Sequence, residues 1–92
     1  MSLRTRTAIV TGSSSGIGLD IARAFLDQGA NVVLNGRDSD KLAEVAARLG
    51  PARQIASFAG DIGRRHTGDE LVRIAVDRFG PVDVLVNNAG IF

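Results

Sequence analysis

The chain has 92 residues, 45% of them apolar and 23% charged, with a formal net charge of +1. This composition is typical of a packed globular domain, and its interspersed charges leave no single-sign field for nucleic acid or an anionic membrane surface. The absence of cysteine excludes disulfides, thiolate metal sites and a cysteine nucleophile. The lack of cysteine leads us to expect a cytoplasmic protein. Because the apolar runs are strand-sized and the N-terminus lacks a signal-peptide core, we expect neither a membrane span nor secretion.

The first predicted elements are a strand, a glycine-rich turn and a helix. Residues 8–10 form an apolar run, and residues 11–18 follow with three glycines. Apolar residues then recur at helical spacing from Ile17 to Leu26, and Gly29 ends the predicted helix. A strand that leads through glycines into a helix is typical of a pyrophosphate site in a βα unit.

The three glycines have distinct predicted tasks. Gly12 makes the tight turn, Gly16 lets the backbone approach a ligand, and Gly18 lets the helix lie close to the strand. A glycine loop that only forms the turn is the alternative, and a P-loop is excluded because no Lys-Ser or Lys-Thr pair follows. Three hydroxyls are candidates to bond phosphate or ribose oxygens, those of Ser13, Ser14 and Ser15. For Ser13, a role as a small polar residue that keeps the turn open is an equally weighted alternative.

Two further strands and a helix follow in alternation. Residues 32–34 form a continuous apolar run, as expected of a strand buried on both faces of a parallel sheet. Asp38 and its neighbours offer N-cap side chains for a helix that Gly50 and Pro51 end. Residues 55–59 predict the third strand, closed by Gly60 and Asp61.

The last predicted elements are a helix and a fourth strand. Thr67 and Glu70 have the spacing of a capping box, and the three residues 64–66 before them are interpreted as a solvated turn. His66 lacks the partners that a catalytic or metal-binding histidine needs. Residues 82–86 predict the fourth strand. The residues expected on the buried side of the helix are Leu71, Ile74, Ala75, Arg78 and Phe79.

The alternation of strands and helices predicts the α/β class. Helical crossovers require a parallel sheet with right-handed connections, and the doubly wound order is 3-2-1-4. The fourth strand would then be an apolar sheet edge, which intact proteins cover. We therefore expect an incomplete sheet, with either more chain beyond Phe92 or another polypeptide that pairs with residues 84–86.

Three motifs together resemble the short-chain dehydrogenase/reductase family over residues 7–90: Thr11-Gly-x-x-x-Gly-x-Gly18, then Asp61, then Asn87-Asn88-Ala89-Gly90. The resemblance implies a Rossmann fold and NAD(P)(H)-dependent hydride transfer on carbonyl or alcohol substrates. It implies Gly12, Gly16 and Gly18 at the pyrophosphate, Asp61 on the adenine amino group, Ile62 beside the adenine, and Asn88, Ala89 and Gly90 along the adenosine. Ser14, Ser15 and Ile17 are also predicted to belong to the cofactor site. Asp61 could also be only a turn residue, and Asn87 is interpreted as mainly structural.

Cofactor choice depends on the end of the second strand. A carboxylate there would bind the ribose of NAD, but this chain has Asn35, Gly36 and Arg37. Arg37 resembles the arginine that some family members place on the 2′-phosphate, so NADP(H) is preferred. Asp38 offers an acceptor for a ribose hydroxyl, so NAD(H) stays open, and a solvated loop charge is the alternative for Arg37.

The family's catalytic groups are not found in this sequence. Family members place a serine, a Tyr-x-x-x-Lys pair and a helix asparagine beyond this point, and the chain has no tyrosine. Residues 1–92 are thus predicted to be the N-terminal, cofactor-binding half of a homo-oligomeric enzyme and inactive alone, because no proton donor accompanies the hydride. Resemblance to 3-oxoacyl reductases and hydroxybutyrate dehydrogenases is weak. The alternatives are a non-catalytic dinucleotide-binding module and a structural module that pairs through its open edge.

Overall fold

A computed structural model describes residues 3–88, which form a parallel sheet with helices on both faces. All strand pairs are parallel and the order is β3-β2-β1-β4, so the predicted α/β class and doubly wound order are confirmed. In chain order the elements are β1 (Thr7–Val10), α1 (Gly16–Asp27), β2 (Asn31–Gly36), α2 (Ser39–Leu49), a 3-10 turn (Ala52–Gln54), β3 (Ile55–Ala59), α3 (Arg65–Arg78) and β4 (Val84–Val86).

The two central strands, β1 and β2, are buried because both of their faces are covered. Successive side chains of a strand point to opposite faces, so the sheet divides the core in two. On the side of α1 and α2 the buried residues are Val10, Ala22, Val32, Leu34, Leu42, Val45 and Ile55. On the side of α3 they are Ile9, Val33, Ala56, Leu71 and Ala75.

The predicted start of α2 is confirmed in atomic detail. Asp38 Oδ1 accepts hydrogen bonds from the backbone amides of Asp40 at 3.0 Å and Lys41 at 3.1 Å. Since the first amides of a helix have no intrahelical acceptor, this cap fixes where α2 begins. The chain therefore turns into α2 directly after β2, at the carboxyl edge of the sheet.

The capping box predicted for α3 is wrong. The helix begins at Arg65 after an uncapped Arg64, so Thr67 lies in the first turn and is 3% exposed. The chain turns into the helix before Thr67, because Arg64 N donates to the carbonyl of Asp61 at 2.9 Å and closes a turn there. Glu70 instead forms an ion pair with Arg73 at 2.6 Å. Arg65 and His66 are exposed, as expected, but belong to the helix and not to a turn.

Three other details differ from the sequence prediction. Ile17 is 71% exposed in the first turn of α1, so it is not part of the apolar face of that helix. Arg78 is exposed, and its guanidinium donates to the carbonyl of Ile55 at 3.3 Å. β4 begins at Val84 and not at Val82; just before it, Asp83 donates its backbone amide to the carbonyl of Thr7 at 2.9 Å, and its carboxylate accepts from Thr7 N at 2.8 Å.

The face of α3 next to β4 leaves apolar side chains in solvent. Val72, Val76 and Leu85 are 49%, 50% and 65% exposed, and a largely apolar hollow of about 340 Å³ lies between α3 and β4. Within residues 3–88, β4 pairs only with β1, so its other edge is open. No helix in this part of the chain has the length and apolarity that a bilayer crossing requires.

Candidate functional site

A cleft of about 440 Å³ opens at the carboxyl ends of β1, β2 and β3. This edge of an open parallel sheet is where ligands bind, because loops from neighbouring strands meet there. The cleft lies mainly among the turn after β1, the end of β2 and the start of α2. It is lined by Gly12, Ser14, Ser15, Asn35, Gly36, Arg37, Asp38, Lys41, Gly60 and Ile62.

The glycine turn between β1 and α1 has the backbone shape that only glycine adopts readily. Gly12 and Gly16 have φ angles of 60° and 59°, in the left-handed region. A Cβ built on Gly18 would overlap the carbonyl oxygen of Gly12, so α1 lies directly against the turn. A Cβ built on Gly16 would meet nothing within 4 Å, so the space beside that residue is open.

The N-terminus of α1 is left without a side-chain cap. Ser15 is the N-cap residue, but its hydroxyl makes no capping hydrogen bond, and the first turn carries no acidic residue. The first intrahelical bond runs from Leu19 N to Ser15 O, which leaves the amides of residues 16–18 without an intrahelical acceptor. Such amides, together with the helix dipole, favour an anion.

Ser13 and Asn35 join the glycine turn to β2, a connection that sequence reasoning missed. Both are buried; Ser13 Oγ donates to the carbonyl of Val10 at 2.8 Å and accepts from Asn35 N at 3.0 Å. The side-chain amide of Asn35 donates to the carbonyls of Phe58 and Gly60, on and just after β3. Ser13 is thus a structural residue. The available signal for Asn35 was its position as a polar residue directly after the apolar run of β2.

Thr11 and the asparagines after β4 hold the other side of the turn. Thr11 Oγ1 accepts from Asn88 N at 2.9 Å and lies 3.3 Å from Asn87 Oδ1. The side-chain amide of Asn88 donates to the carbonyl of Gly12 at 3.1 Å. These bonds agree with the structural interpretation of Asn87. They also assign Asn88 a contact within the protein, beside the turn.

Arg37 and Asp61 meet at the open end of the cleft. Arg37 Nη2 lies 3.6 Å from Asp61 Oδ1, and their side chains are 81% and 44% exposed. Asp61 Oδ1 also accepts from Gly63 N at 2.8 Å, so the carboxylate stabilises the turn after β3. Gly36 precedes Arg37, and a Cβ added there would lie 2.9 Å from Ser14 Oγ.

Lys41 is a second cation at the cleft, and sequence reasoning did not identify it. It lies in the first turn of α2, exposed, and no carboxylate of residues 3–88 forms an ion pair with it. Its place three residues after the Asp38 cap was the available signal, because the cap brings the first turn of α2 to the cleft. Asp38 itself uses Oδ1 for the cap.

The structure brings together most of the residues predicted for the site. The predicted residues that line the cleft are Gly12, Ser14, Ser15, Arg37 and Ile62. Gly16, Gly18 and Asn88 shape the adjoining turn, Asp61 contacts Arg37, and Ile17 is exposed at the start of α1. Ala89 and Gly90 lie outside the described residues.

These residues suit a dinucleotide. Uncapped amides next to the open space at Gly16 fit a diphosphate, and Arg37 and Lys41 add positive charge at the far end of the cleft. Within residues 3–88 no three metal-ligating side chains come together. The uncapped amides and the two cations can therefore bind and orient an anionic ligand.

Known proteins are similar to this chain in fold and in sequence. The short chain dehydrogenase family model matches residues 6–92. D-beta-hydroxybutyrate dehydrogenase of Cupriavidus necator is 42% identical over 90 residues, covering 97% of this chain and 35% of that protein. A short-chain dehydrogenase/reductase (glucose/ribitol dehydrogenase) of Brucella melitensis superposes with a TM-score of 0.92 at 39% identity, covering 97% and 38%. The C-domain of a bacterial malonyl-CoA reductase with NADP gives 0.89 at 29% identity, covering 96% and 15%. The chain thus spans less than half the length of each.

Proposed function

This chain belongs to the short-chain dehydrogenase family, and on that premise we propose that it is the cofactor-binding part of an NAD(P)(H)-dependent oxidoreductase. The observation that carries the proposal is the turn before α1, where uncapped amides adjoin open space at Gly16. Gly12, Gly16 and Gly18 give the turn its shape, and Ser14 and Ser15 supply hydroxyls at its surface. When bound, the nicotinamide group supplies or accepts the hydride that interconverts a carbonyl and an alcohol.

The adenosine end of the cofactor is assigned to residues after β3 and β4. Asp61 supplies an acceptor for the adenine amino group, and Ile62 supplies an apolar surface beside the ring. Ile62 lines the cleft, and Asp61 directly precedes it, which supports both roles. Asn88 holds the glycine turn through the carbonyl of Gly12. Ala89 and Gly90 complete this side in the proposal.

NADP(H) is the preferred cofactor in this proposal. No carboxylate stands at Gly36, where even a Cβ would crowd Ser14, and Arg37 follows at the rim of the cleft. A guanidinium binds a phosphate with paired hydrogen bonds, which a ribose hydroxyl cannot match. The NADP in the malonyl-CoA reductase domain, a structural neighbour, also supports the preference. Asp38 keeps NAD(H) as a second cofactor.

Residues 1–92 are proposed to form the N-terminal half of a longer domain. The intact protein is proposed to be a homo-oligomer in the cytoplasm. The open edge of β4 and the exposed Leu85 support a further part of the sheet on that side. The catalytic groups and the substrate pocket then belong to that part, and this half alone is inactive. The same edge supports the second candidate function, a non-catalytic dinucleotide-binding or structural module that pairs with another polypeptide.

The substrate class proposed for the whole enzyme is a small carbonyl or alcohol compound. The relative from Cupriavidus necator is named a D-beta-hydroxybutyrate dehydrogenase, which makes a hydroxy acid one candidate. A 3-oxoacyl substrate is the alternative within the same class.

The test of cofactor choice is the substitution Arg37→Ala. We expect NADP(H) affinity to fall roughly 10- to 100-fold, the effect of losing charge-assisted hydrogen bonds, with little change for NAD(H). Dissociation constants for both cofactors, measured by calorimetry, give the result. Arg53→Ala, at an exposed arginine in the 3-10 turn before β3, is the matched control. Equal losses for both cofactors would contradict a phosphate contact at Arg37.

A further inference from the structure

Two residues proposed to bind different parts of the cofactor are paired with each other in this structure. Arg37 follows β2 and Asp61 follows β3, and these strands are parallel neighbours with Gly36 opposite Ala59. Their carboxyl ends therefore lie side by side, which brings Arg37 Nη2 to 3.6 Å from Asp61 Oδ1. The guanidinium is thus already in contact with an anion of the protein.

The two partners differ in how firmly they are held. Asp61 is fixed by two hydrogen bonds, from Gly63 N to Oδ1 at 2.8 Å and from Arg64 N to its carbonyl at 2.9 Å. The Arg37 side chain is 81% exposed and has no other ion-pair partner among residues 3–88. Arg37 can therefore leave the pair by rotating, whereas the carboxylate stays at the mouth of the cleft.

We propose that Asp61 is a specificity-determining residue that weakens the preference for a 2′-phosphate, because it pairs with Arg37 and repels an anion bound there. The inference rests on the proposed phosphate contact of Arg37. A phosphate at this place has to share the guanidinium with a fixed carboxylate a few ångströms away, and like charges at that separation repel even in water. Of the other rim charges, Asp38 caps α2 and forms no ion pair with Arg37 within residues 3–88, and Lys41 is a cation, which attracts a phosphate and does not pair with Arg37.

The experiment compares two probes that differ only in the 2′-phosphate, AMP and adenosine 2′,5′-bisphosphate. Their dissociation constants are measured by calorimetry for the unmodified chain, Asp61→Asn and Asp61→Ser. Both substitutions keep an oxygen acceptor for Gly63 N, and loss of adenine affinity cancels in the ratio of the two constants. We expect the preference for the bisphosphate to rise roughly two- to fivefold, the size of an exposed ion-pair effect.

Asp77→Asn is the matched control. Asp77 is also an exposed aspartate paired with an arginine, Arg73 at 3.2 Å, and it lies near the end of α3, away from the cleft. The substitution changes the net charge equally, so the ratio should stay unchanged. In an Arg37→Ala background, Asp61→Asn should raise the ratio less than in the unmodified chain, because only the direct repulsion between carboxylate and phosphate remains to be removed.

The outcomes separate this inference from the function on which it rests. A ratio that is unchanged or lower in both Asp61 variants, while Arg37→Ala lowers it, overturns the role of Asp61 alone. A ratio that Arg37→Ala leaves unchanged overturns the phosphate contact and, with it, the inference. A rise of equal size in Asp77→Asn assigns the effect to net charge and also overturns it.

Discussion

Single atoms decide whether the glycine turn can form. The carbonyl oxygen of Gly12 would overlap a Cβ of residue 18, and the same oxygen accepts from the Asn88 side chain. The contact is between two backbones, so no side-chain rotation relieves it. Glycine at 18 is therefore a packing requirement, which the sequence spacing predicts correctly.

Gly18→Ala should lower the free energy of unfolding by about 1–3 kcal/mol, because the added methyl group forces α1 away from the turn. Urea unfolding followed by circular dichroism measures the change. Gly68→Ala is the matched control, since Gly68 is also helical and its added Cβ would meet nothing within 4 Å. That control should raise stability by about 0.5–1 kcal/mol; similar losses in both variants would contradict the account.

At the scale of elements, the starts of α2 and α3 show what sequence can predict. The cap of α2 is local, since Asp38 bonds amides two and three residues on, and the pattern of residue types predicts it. The start of α3 depends on the turn that follows β3, where Arg64 N bonds the carbonyl of Asp61. Thr67 has the spacing of a cap residue, but it lies within the first turn of α3 and packs against Gly60. The packing of Thr67 against Gly60 depends on how the helix lies on the sheet, and residue spacing does not reveal it.

Asp38→Ala should reduce the free energy of unfolding by about 0.5–2 kcal/mol, because two first-turn amides of α2 lose their acceptor. Asp38→Asn keeps an oxygen in the same place and should remain close to the unmodified chain in stability. Chemical denaturation of the three proteins side by side is the measurement. The cap has no such role if Asn and Ala prove equally destabilising.

A carboxylate adds to the backbone pairing between β4 and β1. The amide of Thr7 donates to Asp83 Oδ2 at 2.8 Å, and this bond, assisted by Arg6 at 3.2 Å, holds the pKa of Asp83 below its ordinary value of 3.8. A carboxyl group whose pKa is lower in the folded state contributes its full stabilisation above its unfolded pKa. That contribution is lost as the pH falls through the folded pKa.

Asp83→Asn should therefore lower the urea midpoint at neutral pH, and the difference from the unmodified chain should shrink as the pH falls below 3.8. The measurement is a series of urea unfolding curves from about pH 7 to about pH 2.5. A difference between the two proteins that stays constant over this range would contradict the role assigned to the Asp83 charge.

For the whole molecule, order and direction of the strands could be predicted because handedness rules leave few arrangements for alternating strands and helices. The glycines were predicted from their spacing between a strand and a helix, and the roles of Arg37 and Asp61 were predicted from the resemblance to the family. Two connections could not be predicted: the hydrogen bond between Ser13 and Asn35, and the ion pair between Arg37 and Asp61. Each joins segments about 20 residues apart whose register only the folded sheet defines. The exposure of Leu85 is also a property of the whole sheet, because it depends on which strand lies at the edge.

The most direct test of the central claim is an NMR titration of the isotope-labelled chain with NADP. If the turn before α1 holds the diphosphate, the backbone amides of residues 12–18 should show the largest chemical-shift changes, together with those of Gly36 and Arg37. The opposite result is a titration in which those amides stay unchanged, or in which the largest changes occur at Val72 and Leu85 beside the apolar hollow. Either would contradict the claim that this turn is a cofactor site.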